Sequence, residues 1–398
     1  MLGLTLEGGG ARGSYQIGAW KAFREIGIEF DGITGTSVGA LNGALMVQDD
    51  YDLAYELWYN MEPYRILNVD DRIYEVLDDD RISSKELNII YKQIVKVVKG
   101  IGLDSKPLQL LVNKCLKEAI IRNSHMDFGF VTVCLTDLKP LKLYKENVPI
   151  GKMGDYLLAS SCLPIFRSKE YDGKKFLDGA FYNNLPVDML YEKGYKEVIA
   201  LRLNSQGIIK KNCFKELNLT FIKPYQDLGK ILDFSRERAR RNLQLGYYDT
   251  LKHFKNLKGK EYYILGDISD EKAFKFFMSL SNESIIMLGN LFNIPQYMSL
   301  TRALLEGIIP KLFNLLDLDE QSRYSDLFFA ILEQMALRKK INPFHIYTID
   351  MLVENIERYN SGDRTKPKKY KSEIFPNKKV LIKRSVDIIL LNEPYIHI

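Results

Sequence analysis

The residues best suited to chemistry are a serine between two glycines, a run of glycines, and an aspartate followed by a glycine. Gly35-Thr36-Ser37-Val38-Gly39 has the G-x-S-x-G spacing of a nucleophile elbow. Flanking glycines permit a strained strand-to-helix turn that presents the serine hydroxyl at a sheet edge. A serine at the amino end of a helix also lies where partial positive charge favours a developing oxyanion. The plainer role for Ser37 is a helix N-cap.

The second group is Gly8-Gly9-Gly10-Ala11-Arg12-Gly13, expected directly after a strand and before a helix. Glycines let such a turn tighten, and the unpaired amides at the helix start form an anion site for a phosphate or for the oxyanion of an acyl intermediate. Gly8-x-Gly10-x-x-Gly13 also satisfies the dinucleotide fingerprint, with Asp31 expected near the end of the next strand, where a ribose-binding acid would sit. A purely structural turn is a third reading. The glycines alone leave these open; the serine elbow turns the balance toward acyl transfer.

A serine nucleophile needs a base. His125, His253, His345 and His397 lie in unrelated contexts, beside neither a glycine turn nor a recognisable acid. Asp178-Gly179 follows the apolar pair Phe176-Leu177 and precedes Asn183-Asn184-Leu185-Pro186. Asp-Gly by itself is a turn. A carboxylate can nevertheless act as the base if burial raises its pKa toward the working pH.

In this order, Gly8-Gly9-Gly10-x-Arg12-Gly13, Gly35-x-Ser37-x-Gly39 and Asp178-Gly179-x-x-x-Asn183-Asn184-x-Pro186 resemble the three signature blocks of the patatin-like phospholipases, in their bacterial form. Ala159-Ser160-Ser161-Cys162-Leu163-Pro164-Ile165-Phe166 resembles the segment that precedes the family's aspartate, and Gly246-Tyr247-Tyr248-Asp249 resembles the end of the domain. The resemblance implies a Ser37–Asp178 dyad without histidine, an oxyanion hole at Gly8, Gly9 and Gly10 with Arg12 ordering the loop, and support from Gly13, Gly35, Gly39 and Gly179. It implies a lipid or phospholipid ester as substrate, and no metal or cofactor. Glu7, Val38 and Cys162 depart from the family's usual residues without removing a group the chemistry needs. The competing readings are a dinucleotide-dependent oxidoreductase, which leaves the elbow and aspartate block unexplained, and a non-catalytic lipid-binding module, against which an intact dyad argues.

These residues need elements to hold them. Strand-like stretches at Leu2–Leu6, Phe30–Thr34, Phe130–Leu135 and Val198–Leu203 alternate with amphipathic helices, such as the one carrying Tyr15, Ala19, Ala22, Phe23 and Ile26. This predicts an α/β fold, a patatin-like sheet with helices on both faces, over residues 1–266. From about Glu271 to Arg358 the pattern turns helical, predicting a mainly helical domain over 267–398 that ends in a strand at Val386–Leu391. A helix-rich insertion over 61–124 is a candidate cap over a site, or a packed insertion.

The chain has 398 residues, 46% hydrophobic and 27% charged, which excludes fibrous and disordered classes. No apolar run approaches the roughly 18 residues of a membrane span, and Met1–Leu6 does not read as a secretory signal. Cys115, Cys134, Cys162 and Cys213 lack the spacing of a zinc site or a disulfide framework. The expected location is cytoplasmic. The formal charge is only +5, yet Arg364–Arg384 carries nine cations against Glu373 alone. That stretch suits peripheral contact with an anionic membrane, or is a solvated linker. Nucleic acid is not an expected partner, and the oligomeric state is not legible.

Overall fold

The computed structural model describes residues 1–66, 104–164, 166, 170–171, 173–360 and 377–392. Most of the 61–124 insertion, most of the basic stretch and His397 lie outside the described residues. The chain forms two compact units, Met1–His253 and Phe254–Ile398. None of the described helices is long and apolar enough to cross a membrane.

The first unit is built on one sheet with strand order β5-β6-β3-β2-β1-β7-β8, and β4 also pairs with β3. The strands are β1 Leu2–Leu6, β2 Gly32–Thr36, β3 Asp127–Cys134, β4 Lys139–Tyr144, β5 Glu170–Tyr171, β6 Lys174–Asp178, β7 Glu197–Leu201 and β8 Asn218–Ile222. β1, β2, β3, β7 and β8 run parallel, whereas β4 and β6 are antiparallel to β3. β1 and β2 are buried along almost their whole length, so both faces of the sheet must be covered.

The two faces are covered differently. Leu4, Ile33 and Phe128 lie in register across three strands, and helix α2 (Val38–Val47) comes down on that row at Gly43, where a Cβ would stand 3.1 Å from the Phe128 ring. The opposite face presents Gly3, Gly32 and Gly129. Leu190, Tyr195 and Met189 occupy the space those glycines leave, and a Cβ on Gly3 would lie 2.7 Å from Leu190. Helix α1 (Ser14–Ile26) crosses the helix Arg236–Lys255 at an equally close approach: a Cβ on Gly18 would fall 1.9 Å from the Leu243 carbonyl, and one on Gly246 1.9 Å from that of Tyr15. The Tyr15 hydroxyl donates to Asp249 at 3.0 Å across the same crossing.

Asp31 does not stand where a ribose-binding acid would. It precedes β2 instead of closing it, accepts the Leu2 amide at 2.6 Å and pairs with the chain's amino group. Because β1 and β2 are parallel, this is the end of the sheet opposite the glycine loop, about 15 Å away along five residues of strand. The stretch between Gly13 and Asp31 is taken up by a helix and a turn that end before the strand starts.

The second unit packs helices around Phe277, Leu304, Ile308, Leu312 and Phe328, together with a parallel strand pair, β9 Tyr263–Leu265 and β10 Ile346–Thr348. That pairing draws residues 254–266 into the second unit, whereas the sequence had placed the change at 266/267. The expected strand at Val386–Leu391 is instead part of a helix, Lys378–Asn392. Asn377 receives the Val380 amide at the helix start. Val386, Ile389 and Leu390 then fall on one buried stripe, and Asp387 pairs with Arg338. Tertiary packing therefore outweighs the β propensity of a short Val/Ile run. Of the basic stretch, Lys378 pairs with Asp317, and Lys379 and Lys383 are exposed.

Glu333, 3% exposed, holds this unit's first turn: its Oε1 accepts the amides of Lys260, Glu261 and Tyr262 at 2.6–2.7 Å. Glu333→Ala leaves three donors unpaired and is expected to cost about 2–4 kcal/mol. The measurement is the urea unfolding midpoint, and an unshifted midpoint would mean that water replaces the carboxylate without loss.

Candidate active site

β3 brings the elbow and the aspartate together. β2 pairs with residues 127–131 of β3, ending at Thr36 opposite Val131, and β6 pairs with residues 132–134, ending at Asp178 opposite Thr132. Both overlap β4, which occupies the other edge of β3, so β2 and β6 share one edge and meet end to end. Ser37, one residue past the end of β2, therefore faces the last residue of β6. Gly179 continues past this junction because it has no side chain: a Cβ would lie 2.2 Å from the Val131 carbonyl.

The elbow is strained and tightly enclosed. Ser37 has φ 56° and ψ −126°, a conformation L side chains rarely adopt. A Cβ on Gly35 would fall 2.3 Å from the Gly39 carbonyl, and one on Gly39 2.4 Å from that of Leu6. Only glycine fits at either position. The turn is fastened by Ser160, whose hydroxyl accepts the Ser37 amide at 3.0 Å and donates to the Val131 carbonyl at 2.6 Å. Thr36 donates its hydroxyl to the Asn183 carbonyl at 2.8 Å.

Asp178 is fully buried. Its Oδ1 accepts the Ala180 amide at 2.8 Å, its own amide donates to the Cys162 carbonyl, and Oδ2 has no hydrogen-bond partner. Burial pushes the carboxyl up to about 6, against the opposing pull of the Ser37 hydroxyl and the Ala180 amide. Ser37 is thus within electrostatic reach of the carboxylate, while Oδ2 remains open to accept.

The glycine loop lies beside this pair, held by groups distant in sequence. The Ala11 amide donates to the Ile231 carbonyl at 2.8 Å, and the Arg12 guanidinium donates to the carbonyls of Gly229 and Asn204. Arg12 thus ties loops together, its guanidinium engaged by backbone carbonyls. The Gly8 amide is spent on the Asn184 carbonyl at 3.1 Å, and Asn184 Nδ2 returns a bond to the Gly8 carbonyl. Gly8 is therefore no oxyanion donor, contrary to the expectation from the motif. Among the described residues the amides of Gly9 and Gly10 make no hydrogen bond to the protein. Gly10 has φ 55° and lines the cavity that holds Ser37. Gly13 is packed against Val38 and Trp58.

Several residues that hold the site had been given no role. Glu7, fully buried, accepts Arg202 and the Leu203 amide. Gln16 donates to the Glu7 carbonyl, and Asn42 links Gln16, the Gly13 carbonyl and the Trp58 indole. Ser160, Asn183 and Asn184 were visible in the signature blocks; their function as backbone clamps depends on partners far along the chain. His125, His253 and His345 take no part in these contacts.

From Ser37 an apolar cavity runs between α2, helix α3 (Tyr51–Tyr59) and the helices Lys106–Cys115 and Met153–Ser160. Leu41, Leu45, Trp58, Leu111, Val112 and Leu157 line it. A strained hydroxyl at the head of an apolar channel, a buried acceptor with a raised pKa and unengaged amides in the adjoining glycine loop can together support acyl transfer from a hydrophobic ester. The described residues hold no cluster of histidine, cysteine and carboxylates fit for a metal.

Residues 4–191 match the family model of the patatin-like phospholipases. The chain is similar to patatin-like phospholipase domain-containing protein 7 of Rattus norvegicus (28% identity over 210 residues, 52% of this chain and 14% of that protein). It is also similar to patatin-like phospholipase domain-containing protein 6 of Homo sapiens (25% over 272 residues, 66% and 18%) and to neuropathy target esterase sws of Drosophila melanogaster (26% over 212 residues, 52% and 13%). The matched region is thus less than a fifth of each of these relatives. VipD from Legionella pneumophila superposes loosely, with TM-score 0.42 at 15% identity over 98% of this chain and 84% of that one.

The raised carboxyl has a consequence for stability. A folded-state value near 6 against an ordinary one of 3.8 means that ionised Asp178 destabilises the fold; the penalty is absent below pH 3.8 and complete above about 6. Asp178→Asn is therefore expected to be more stable than the wild type at pH 8, by on the order of 2 kcal/mol, with the gap closing toward pH 4. Thermal melts at the two pH values measure it; a gap independent of pH would show that the carboxylate is not desolvated.

Proposed function

We propose that the chain is a lipid acyl hydrolase of the phospholipase A or lysophospholipase type, cleaving carboxylic esters with Ser37 as nucleophile and Asp178 as base. The observation that carries this reading is the end-to-end meeting of β2 and β6 on β3, with the apolar channel leading away from Ser37.

Above its pKa, Asp178 takes the proton from Ser37 Oγ as that oxygen attacks the ester carbonyl. In this reading the amides of Gly9 and Gly10 stabilise the resulting oxyanion. The tetrahedral species collapses, Asp178 gives its proton to the departing alcohol, and the acyl group remains on Ser37. Water then attacks the acyl-enzyme and loses its proton to Asp178. Ser37 Oγ recovers that proton as it leaves, and the free acid departs. A carboxylate at about 6 suits both directions of transfer better than an exposed one would. The substrate is a lipid or phospholipid reached by peripheral contact with a membrane surface.

Ser37→Ala and Asp178→Asn should each lower ester turnover by about 10⁴-fold while the protein stays folded. A fluorophosphonate probe should label Ser37 alone in the wild type. Activity should be present above about pH 6 and fall as pH drops through that value, because protonated Asp178 cannot accept the serine proton. Substitution of His125, His253 or His345 should leave turnover and the acidic limb in place. If a histidine substitution abolishes turnover in a folded protein while Asp178→Asn retains most of it, the dyad is wrong.

A further inference from the structure

The channel has a direction and a floor. α2 starts at Ser37, and the Trp58–Asn42 bond places the end of α3 beside that start. The helix Lys106–Cys115 contributes to the lining from Leu108, in company with Met61 from just beyond α3, through Cys115 to its C-cap Leu116. At the other end the two helices are pinned together. Gln48, the C-cap of α2, donates its Nε2 to the Cys115 carbonyl at 3.0 Å and accepts the Lys117 amide on Oε1 at 3.1 Å. Asp50 pairs with Lys117 just outside. Gln48 and Cys115 are 6% and 7% exposed, so opening this end would strand buried polar groups.

Within the channel, Leu45 and Cys115 stand on the mouth side of that clamp. Burial pushes the Cys115 thiol up, keeping it neutral and effectively apolar. From Ser37 to Leu45 is eight residues of helix, about 12 Å at 1.5 Å per residue. An extended chain advances about 1.2 Å per bond, so the space between nucleophile and floor matches an acyl chain of roughly ten carbons.

We propose that this channel is an acyl-chain ruler: Leu45 and Cys115, backed by the Gln48 clamp, set the length of fatty acyl group the site accepts, at about ten carbons. The inference rests on the acyl-hydrolase reading above and adds to it the class of acyl group. Each methylene that finds apolar space should favour turnover by about fourfold, and each one beyond the floor should gain nothing or meet steric resistance.

The test is kcat/KM over a series of p-nitrophenyl esters from butyrate to palmitate, with fatty-acid binding followed in parallel by Trp58 emission, Trp20→Phe removing the other indole. Wild-type kcat/KM should climb to near decanoate and then fall. Cys115→Phe should move the optimum to shorter chains, and Leu45→Ala to longer ones. The binding series should show the same optimum and the same shifts without any turnover. A preference that climbs unbroken to palmitate, or an optimum unmoved in both folded variants, would overturn the ruler while leaving the hydrolase reading intact. No turnover on any ester, with a binding optimum at decanoate that moves in the variants, would sink the hydrolase reading and keep the measured channel; no turnover on any ester together with no binding optimum removes both.

Discussion

The first unit depends on one edge of one strand. β3 accepts β2 over its first five residues and β6 over its last three, on the same side, so two strands that run in opposite directions end facing each other. Each strand delivers a single chemical group at its end. Hydrogen-bond register fixes that encounter more tightly than side-chain packing could, since a slip of one residue would turn Asp178 to the other face of the sheet. Ser160 reinforces the junction by binding both the Ser37 amide and the carbonyl of Val131, the β3 residue opposite the end of β2.

The groups that meet there are held in states they would not choose. Ser37 has a positive φ, Asp178 is an incompletely satisfied carboxylate without exposure to water, and Gly9 and Gly10 keep their amides unspent. Such features persist when the surroundings over-determine them. Here the surroundings are backbone clamps: Asn184 embraces Gly8 from both sides, Ala11 is tied to Ile231, and Arg12 spans two further loops. Gly8 and Ala11 are fixed on either side of the two residues between them, of which Gly10 lines the cavity. The committed amide of Gly8 and the free amides of Gly9 and Gly10 are thus two parts of one arrangement.

What was legible beforehand follows from what residue types can report. Gly35 and Gly39 signal close backbone approach, because no other residue fits where a Cβ would overlap a carbonyl, and a tight strand-to-helix turn stands at those positions. The rows of alternating strands and amphipathic helices gave the α/β architecture for a similar local reason. Spacing carried less. Asp31 met a counting rule while standing at the wrong end of its strand, since a count cannot see where a helix stops and a strand begins. Val386–Leu391 has the composition of a strand, but its docking within the helical unit decides otherwise. The clamps Ser160 and Asn184, and the register that pairs Val131 and Thr132 with two different strands, are long-range facts that no local pattern encodes.

α2 joins these layers, because its faces serve different purposes. Gly39 and Gly43 let one face approach the sheet closely, Asn42 ties it to α1 and α3, and Val38, Leu41 and Leu45 form a stripe into the channel. The helix therefore starts at Ser37 and bounds the apolar space beside it, while Gln48 at its other end is bonded to the backbone of Cys115, which lines the same space. A substrate chain lying along the stripe would be aligned with the helix that carries the serine. Affinity gained from methylenes then acts on the ester's position relative to Ser37 Oγ, turning burial of the remote chain into orientation at the reacting carbon.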